Sequence, residues 1–467
     1  MSFVTKLFNR KKKEQTPSIA DEAKSAVPKA LPKIPVTATA TTTTVTTVTK
    51  VTGSIHESRD PHVSAVARGL RVPLTIWLVG YSTLSMLPKA VKNESLLLRY
   101  TPGFFVVGLG RGELANEPLF LLSGLAAGLQ LAAATPEGEH IPGTWALVKF
   151  WATKAVAVVG PIVSVLASVA VSAFTGGKGA VQHTNRIAVL FGALTDCSFY
   201  LAAPYAFKTL RQADRGAAPR LAVFSAILAG IISLISSARL GLHPATGVSL
   251  AGIPFAHTAN ASARANSAGL LAAVPLRFPA FFAGLALAVE RERDTNVKGP
   301  SEYNQKVGLV ISATLWALLL FTPPSYGDLE LQQIISAFRY PAAALASYLA
   351  LRPIVAVPLE VSQTSPWRRK LHEILTHPTF EAASSVILAA ELVHGEVING
   401  VFYLANRAGW VDAAKLNIIT DAKVLTAWGV VVAVSLGAGF AIHKVLQAPG
   451  LKALKAWFEK KRDQVGK

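Results

Sequence analysis

Residues 381–405 read EAASSVILAAELVHGEVINGVFYLA. At 1.5 Å per residue, a helix of this length exceeds the ~30 Å hydrocarbon layer of a bilayer. Near its middle, Glu391 and His394 lie three apart and so share a helix face. A charge or imidazole within a span is expensive and as a rule faces a bundle interior or a cavity. The stretch therefore predicts a membrane helix that carries a polar group inward.

Working outward, similar apolar segments recur near 72–87, 117–134, 150–174, 187–207, 220–238, 268–289, 306–322, 335–357 and 424–446. With 381–405 they make about ten, each long enough to span. Many are rich in Ala, Gly and Ser, which permit close helix–helix approach in lipid. The predicted fold class is all-α, a polytopic integral membrane bundle of about ten transmembrane helices. No short fixed period marks a solenoid or propeller.

Composition agrees. Of 467 residues, 51% are apolar by type and only 16% are charged, with Lys+Arg 46 against Asp+Glu 27 and a net charge of +19. Mean hydropathy is +0.40. Such a chain is too apolar to be disordered and too poor in charge for an ordinary soluble enzyme. Its positive balance fits basic loops on a membrane protein better than a nucleic-acid partner. A single cysteine, Cys197, excludes an internal disulfide and any zinc or iron–sulfur site built from the chain's own cysteines.

Three regions follow: a basic, Thr-rich tail over 1–65, read as disordered; a membrane domain over 66–450; and a basic tail over 451–467. The first holds Lys6, Arg10, Lys11, Lys12 and Lys13 without an acid until Glu14, and a Thr/Val tract over 37–52. A mitochondrial presequence is the lesser reading, because Arg does not dominate and Asp21 and Glu22 follow soon. An even number of spans places both basic ends on one side, by the positive-inside rule the cytosol or the matrix. The basic loops Lys208–Arg220, Arg291–Lys298 and Arg368–Lys370 would follow the fourth, sixth and eighth spans and fall on that same side. The expected location is an endomembrane or the plasma membrane, with the mitochondrial inner membrane as the alternative.

Besides Glu391 and His394, Asp196, Lys154 and Arg71 stand out as ionisable residues in apolar surroundings, the last opening the first span. For each, a helix-packing role and a functional role both stand. No HExxH, GxSxG, P-loop or dinucleotide fingerprint is present.

Five segments, in order, resemble those of the acyltransferase 3 family of membrane O-acyltransferases. ARGLRVPLTIWLVGYS (67–82) is similar to the opening helix, ANEPLFLLSGLAAG (115–128) to the "LSG" helix, and GALTDCSFYLAAPYAF (192–207) to the helix with paired acids before Phe-Tyr. LRFPAFFAGLALA (276–288) resembles a later helix, and HPTFEAASSVILAAELVHGEVI (377–398) the "YLvHg" helix near the end. The resemblance implies transfer of an acyl group, often acetyl, from acyl-CoA to a hydroxyl of a sugar, lipid or small metabolite, with no resident cofactor. A hydroxyl needs a base to become a good nucleophile, and imidazole suits that role near neutrality.

The chain departs from the family where the chemistry is expected. In the family's first helix an Arg is followed by ten residues and then a His; here the residue at that distance from Arg71 is Ser82, next to Tyr81. The paired acids become Asp196 and Cys197, and the Tyr of "YLvH" becomes Glu391, while His394 is kept. Two readings stay open. In the first, the protein is an O-acyltransferase with a remodelled site: His394 is the base, Glu391 or Asp196 orients it, Ser82 lies nearby, and Arg71 or Lys154 binds the donor. In the second, it is an inactive relative that serves as a structural or lipid-binding subunit of a membrane complex. The partners are the lipid bilayer with either a hydroxyl-bearing acceptor or membrane proteins.

Overall fold

The computed structural model describes residues 61–86, 112–136, 138–174, 183–214, 216–240, 262–294, 302–322, 329–355, 366–409 and 421–465. All lie in one compact unit, Gly53–Lys467. The N-terminal tail to residue 60 falls outside the described residues.

Among these residues the chain is all-helical, without a strand. The helices are α1 (Pro61–Met86), α2 (Asn116–Ala134, entered by a 3₁₀ turn Gly112–Ala115), α3 (Thr144–Phe174), α4 (His183–Gln212), α5 (Ala217–Leu240) and α6 (Ser262–Asp294). They continue with α7 (Glu302–Phe321), α8 (Leu329–Val355), α9 (Pro366–Leu375), α10 (Pro378–Arg407), α11 (Asp421–Ile442) and α12 (Ala448–Val465). A π turn, His443–Gln447, joins the last two, so the basic C-terminal segment is helical and continues α11.

Among the described residues, six helical stretches are long and apolar enough to cross a membrane: Val63–Thr83, Asn116–Ala134, Ala217–Ile235, Asn304–Phe321, Pro378–Ala405 and Leu425–Lys461. The expectation of about ten goes beyond these six. Two of the other helices carry several charges. Helix α6 holds Arg277, Glu290, Arg291, Glu292 and Arg293, and α8 holds Arg339 and Arg352. Both are surrounded by protein: α6 packs on α2, α4, α5 and α8, and Phe281 and Leu285–Val289 on it are fully buried. A helix shielded by others has no need of an apolar exterior.

The bundle is patterned inside out relative to a soluble one. On α5, Phe224, Ile227, Leu228, Ile231, Ile232 and Ile235 face outward, while Ala222, Ala226, Ala229 and Ser233 face in. On α7, Val310 is 66% exposed, and buried Ser312 donates its hydroxyl to the Ala346 carbonyl of α8 at 2.7 Å. Large apolar groups outward and small ones at the seams suit lipid as the surrounding phase.

Small residues set the closest contact, α2 on α6. A Cβ on Gly124 would strike the Phe281 carbonyl, and one on Gly284 would strike the Leu121 carbonyl. Gly124 and Gly128 lie four apart on α2, as do Gly284 and Ala288 on α6, so each helix presents a small-xxx-small groove to the other. At the mouth of this seam, buried Glu117 of α2 pairs with buried Arg277 of α6. The Arg277 guanidinium also lies 3.6 Å from the centroid of the Tyr340 ring of α8. At the other end of α6, Glu290 accepts from Tyr348 (2.6 Å) and Arg352 (2.9 Å). Arg293 then closes the end of α4 by donating to the carbonyls of Leu210, Arg211 and Ala213 at 3.1, 2.8 and 2.7 Å. Those carbonyls belong to the last turn, which has no partners within its own helix.

Candidate functional site

Helices α1, α10 and α11 meet around Val79, Ile398 and Val431. Gly80 permits the approach, since a Cβ there would stand 2.8 Å from the Trp428 indole nitrogen. The packing of α1 on α10 and α11 together fixes the register of α1. It brings Ser82 to His394, with Oγ 3.1 Å from Nε2. Ser82 is buried and His394 half-buried.

The other ring nitrogen settles the tautomer. Nδ1 of His394 bonds to the main-chain carbonyl of Glu391, one turn back on the same helix. A carbonyl can only accept, so Nδ1 carries the proton, and in the neutral ring Nε2 keeps a lone pair. That lone pair faces the Ser82 hydroxyl, a donor able to fill it. The imidazole is thus oriented by the Glu391 backbone. The expected orienting group is the side chain of Glu391 or Asp196, and Glu391 contributes here through its main-chain carbonyl. The reason is local: a residue three positions earlier in a helix offers its carbonyl at the right height.

The remaining predicted residues form a second group on the same interior. Arg71 of α1 donates to Ser123 of α2. Lys154 of α3 sits over the Tyr200 ring of α4, 4.8 Å from its centroid, and 5.5 Å from that of Phe150. Arg71 and Lys154 are the cations that act on buried Asp196, and Arg71 and Asp196 both act on Glu391. Two basic and two acidic side chains from four helices are therefore gathered in one interior cluster. Tyr200 and Ser123 share a side-chain hydrogen bond within this group. Ser123 and Tyr200 were not among the predicted site residues, although both lie in segments singled out for their pattern, LLSG and FYL.

The two groups sit at different depths. Arg71 and Ser82 are eleven residues apart, about 16 Å along α1. Glu391 links the levels, with its carboxylate in the charged group and its carbonyl on His394.

Beyond His394, α10 and α11 leave an apolar groove of about 630 Å³ lined by Val397, Gly400, Val401, Leu404, Val430 and Val434 among others. Its first residue is one turn from His394. Among the described residues no three His, Cys, Asp or Glu side chains are grouped as a metal site. Comparison with protein-family models, with curated proteins and with solved structures gave no match.

Proposed function

We propose that this protein is a membrane-embedded O-acyltransferase that moves an acyl group from acyl-CoA to a hydroxyl. The observation that carries the reading is the Ser82–His394 contact: a hydroxyl on the unprotonated nitrogen of an imidazole, inside a helix bundle. In this reading His394 is the base. It accepts a hydroxyl proton while the oxygen attacks the thioester carbonyl, and it returns that proton to the departing thiolate. Enclosure between α1, α10 and α11 limits attack by water on the thioester. The charged group of Arg71, Lys154, Asp196 and Glu391 holds the interior polar, with Arg71 and Lys154 as the cations available to the donor. The order of the five family-like segments supports the same assignment.

The topology belongs to this proposal. The chain crosses ten times, through α1 to α8, α10 and α11, with both termini on the cytosolic or matrix side of its membrane. The basic stretches Lys208–Arg220, Arg368–Lys370 and Lys452–Arg462 then share that side. Carbonate washing leaves such a protein in the membrane pellet, and release into the supernatant would refute it.

The test of activity is purified full-length protein with acetyl-CoA, read as free CoA, beside His394→Ala. Release above the variant's background is expected. Release equal to it would favour the reading as an inactive subunit, which the replacement of the first-helix His by Ser82 suggests.

A further inference from the structure

We propose that Ser82 is itself the nucleophile and carries the acyl group as an ester between two half-reactions. This rests on the acyl-transfer reading and adds a covalent step to it. A serine within a membrane helix most often returns its hydroxyl to its own backbone. Hydroxyls elsewhere in this bundle do so: Thr83 bonds to Val79 O, Thr135 to Leu131 O, Thr153 to Lys149 O and Ser347 to Ala343 O. The Ser82 hydroxyl reaches across to a different helix and meets the one nitrogen of His394 that can accept its proton. Any external hydroxyl that used His394 would first have to displace it. The hydroxyl already in place is therefore the first to react. The arrangement is that of an activated nucleophile: hydroxyl, base, and a third group that orients the base, here the Glu391 carbonyl.

The chemistry balances. In the first half-reaction the Ser82 Oγ–H proton passes to Nε2 of His394 as Oγ bonds to the thioester carbonyl carbon. The imidazolium so formed keeps its Nδ1–H on the Glu391 carbonyl. The C–S bond breaks, and the thiolate leaves with the Nε2 proton as CoA thiol. In the second, an acceptor hydroxyl gives its proton to Nε2 and its oxygen attacks the Ser82 ester. The C–Oγ bond breaks, and Oγ takes the proton back. Nothing is oxidised or reduced.

The experiment uses the full-length chain in detergent with acetyl-CoA and no acceptor. A burst of about one CoA per protein is expected, with an acetyl ester on the peptide that contains Ser82. Ser82→Ala and His394→Gln lose the burst, by about 100-fold or more in rate for the latter. Ser82→Cys, the variant that keeps a nucleophile should Ser82→Ala fold poorly, forms a thioester released by neutral hydroxylamine. A fluorophosphonate probe, which reports an activated serine whatever the donor, labels Ser82 in the parent chain and not in His394→Gln. Continued CoA release that needs His394 but survives Ser82→Ala without an ester would overturn the covalent step and leave acyl transfer standing. Labelling at Ser82 without CoA release would support the nucleophile and sink the acyl-CoA reading. Absence of label, ester and burst together would sink both.

Discussion

Replacing Arg277 by Met tests the interior electrostatics of the bundle most directly. Arg277 and Glu117 are both buried, on α6 and α2, so removing one charge strands the other away from water. Breaking a buried pair from one side costs about 3–5 kcal/mol, whereas replacing both partners by apolar groups is often close to neutral. The geometry adds an asymmetry. Arg277 also lies on the Tyr340 ring, so in Glu117→Met the guanidinium keeps one partner, and in Arg277→Met the carboxylate keeps none of the two contacts. A desolvated cation–π contact is worth up to about 2 kcal/mol, so Glu117→Met should cost about 1–2 kcal/mol less than Arg277→Met. The double Met variant should lie within about 1 kcal/mol of the parent, which gives a coupling of at least about 3 kcal/mol. Denaturation in detergent micelles, followed by tryptophan fluorescence, measures all four chains. Two results would refute the reasoning: losses in the double variant that equal the sum of the singles to within about 0.5 kcal/mol, or a Glu117→Met more damaging than Arg277→Met.

Three further outcomes follow from the packing and the site. Gly284→Leu drives a side chain into the Leu121 carbonyl and should abolish the monodisperse gel-filtration peak; Gly429→Ala, where nothing lies within 4 Å, should leave it unchanged. Arg293→Met strips the donors from the last carbonyls of α4 and should cost about 1.5–3 kcal/mol, with faster amide exchange confined to the segment after Leu210. Glu391→Gln keeps the backbone carbonyl that orients His394. It should therefore spare CoA release to within about 10-fold, where His394→Gln loses about 100-fold or more; equal losses in the two would mean that the carboxylate, not the carbonyl, serves the ring.

Sequence periodicity located the helices well because lipid imposes a length and a polarity on each segment. Each apolar stretch, from 72–87 to 424–446, overlaps a described helix over most of its length. The number of crossings is a different matter: α6 and α8 are helical but highly charged, and hydropathy alone does not separate an interior helix from a lipid-facing one. Helix α1 begins at Pro61, a turn or more before its apolar part, since helix formation outlasts the hydrophobic stretch. Of the site, the residue types were legible. His394, Asp196, Glu391, Lys154 and Arg71 drew notice because charge in an apolar segment is expensive, and Ser82 because of its spacing from Arg71. Their pairing was not legible. Ser82 and His394 are separated by 312 positions, and their contact depends on the register of α1 against α10. Glu117 escaped notice altogether. It stands at the start of an apolar run, where an acid reads as a cap, and only the distant Arg277 gives it an interior partner.

That distance bears on how the protein is made. Glu117 and Arg277 are 160 residues apart. At ~5–20 residues per second, a ribosome takes about 8–32 s to travel between them. During that interval Glu117 of α2 lacks Arg277, and an acid held within a membrane without its partner carries a penalty of up to about 2.5–3.5 kcal/mol. Helix α6 supplies the cation and, through Gly284 and Ala288, the surface against which α2 closes. The α2–α6 pair can therefore close only once the sixth helix has been made, so this seam completes late in synthesis.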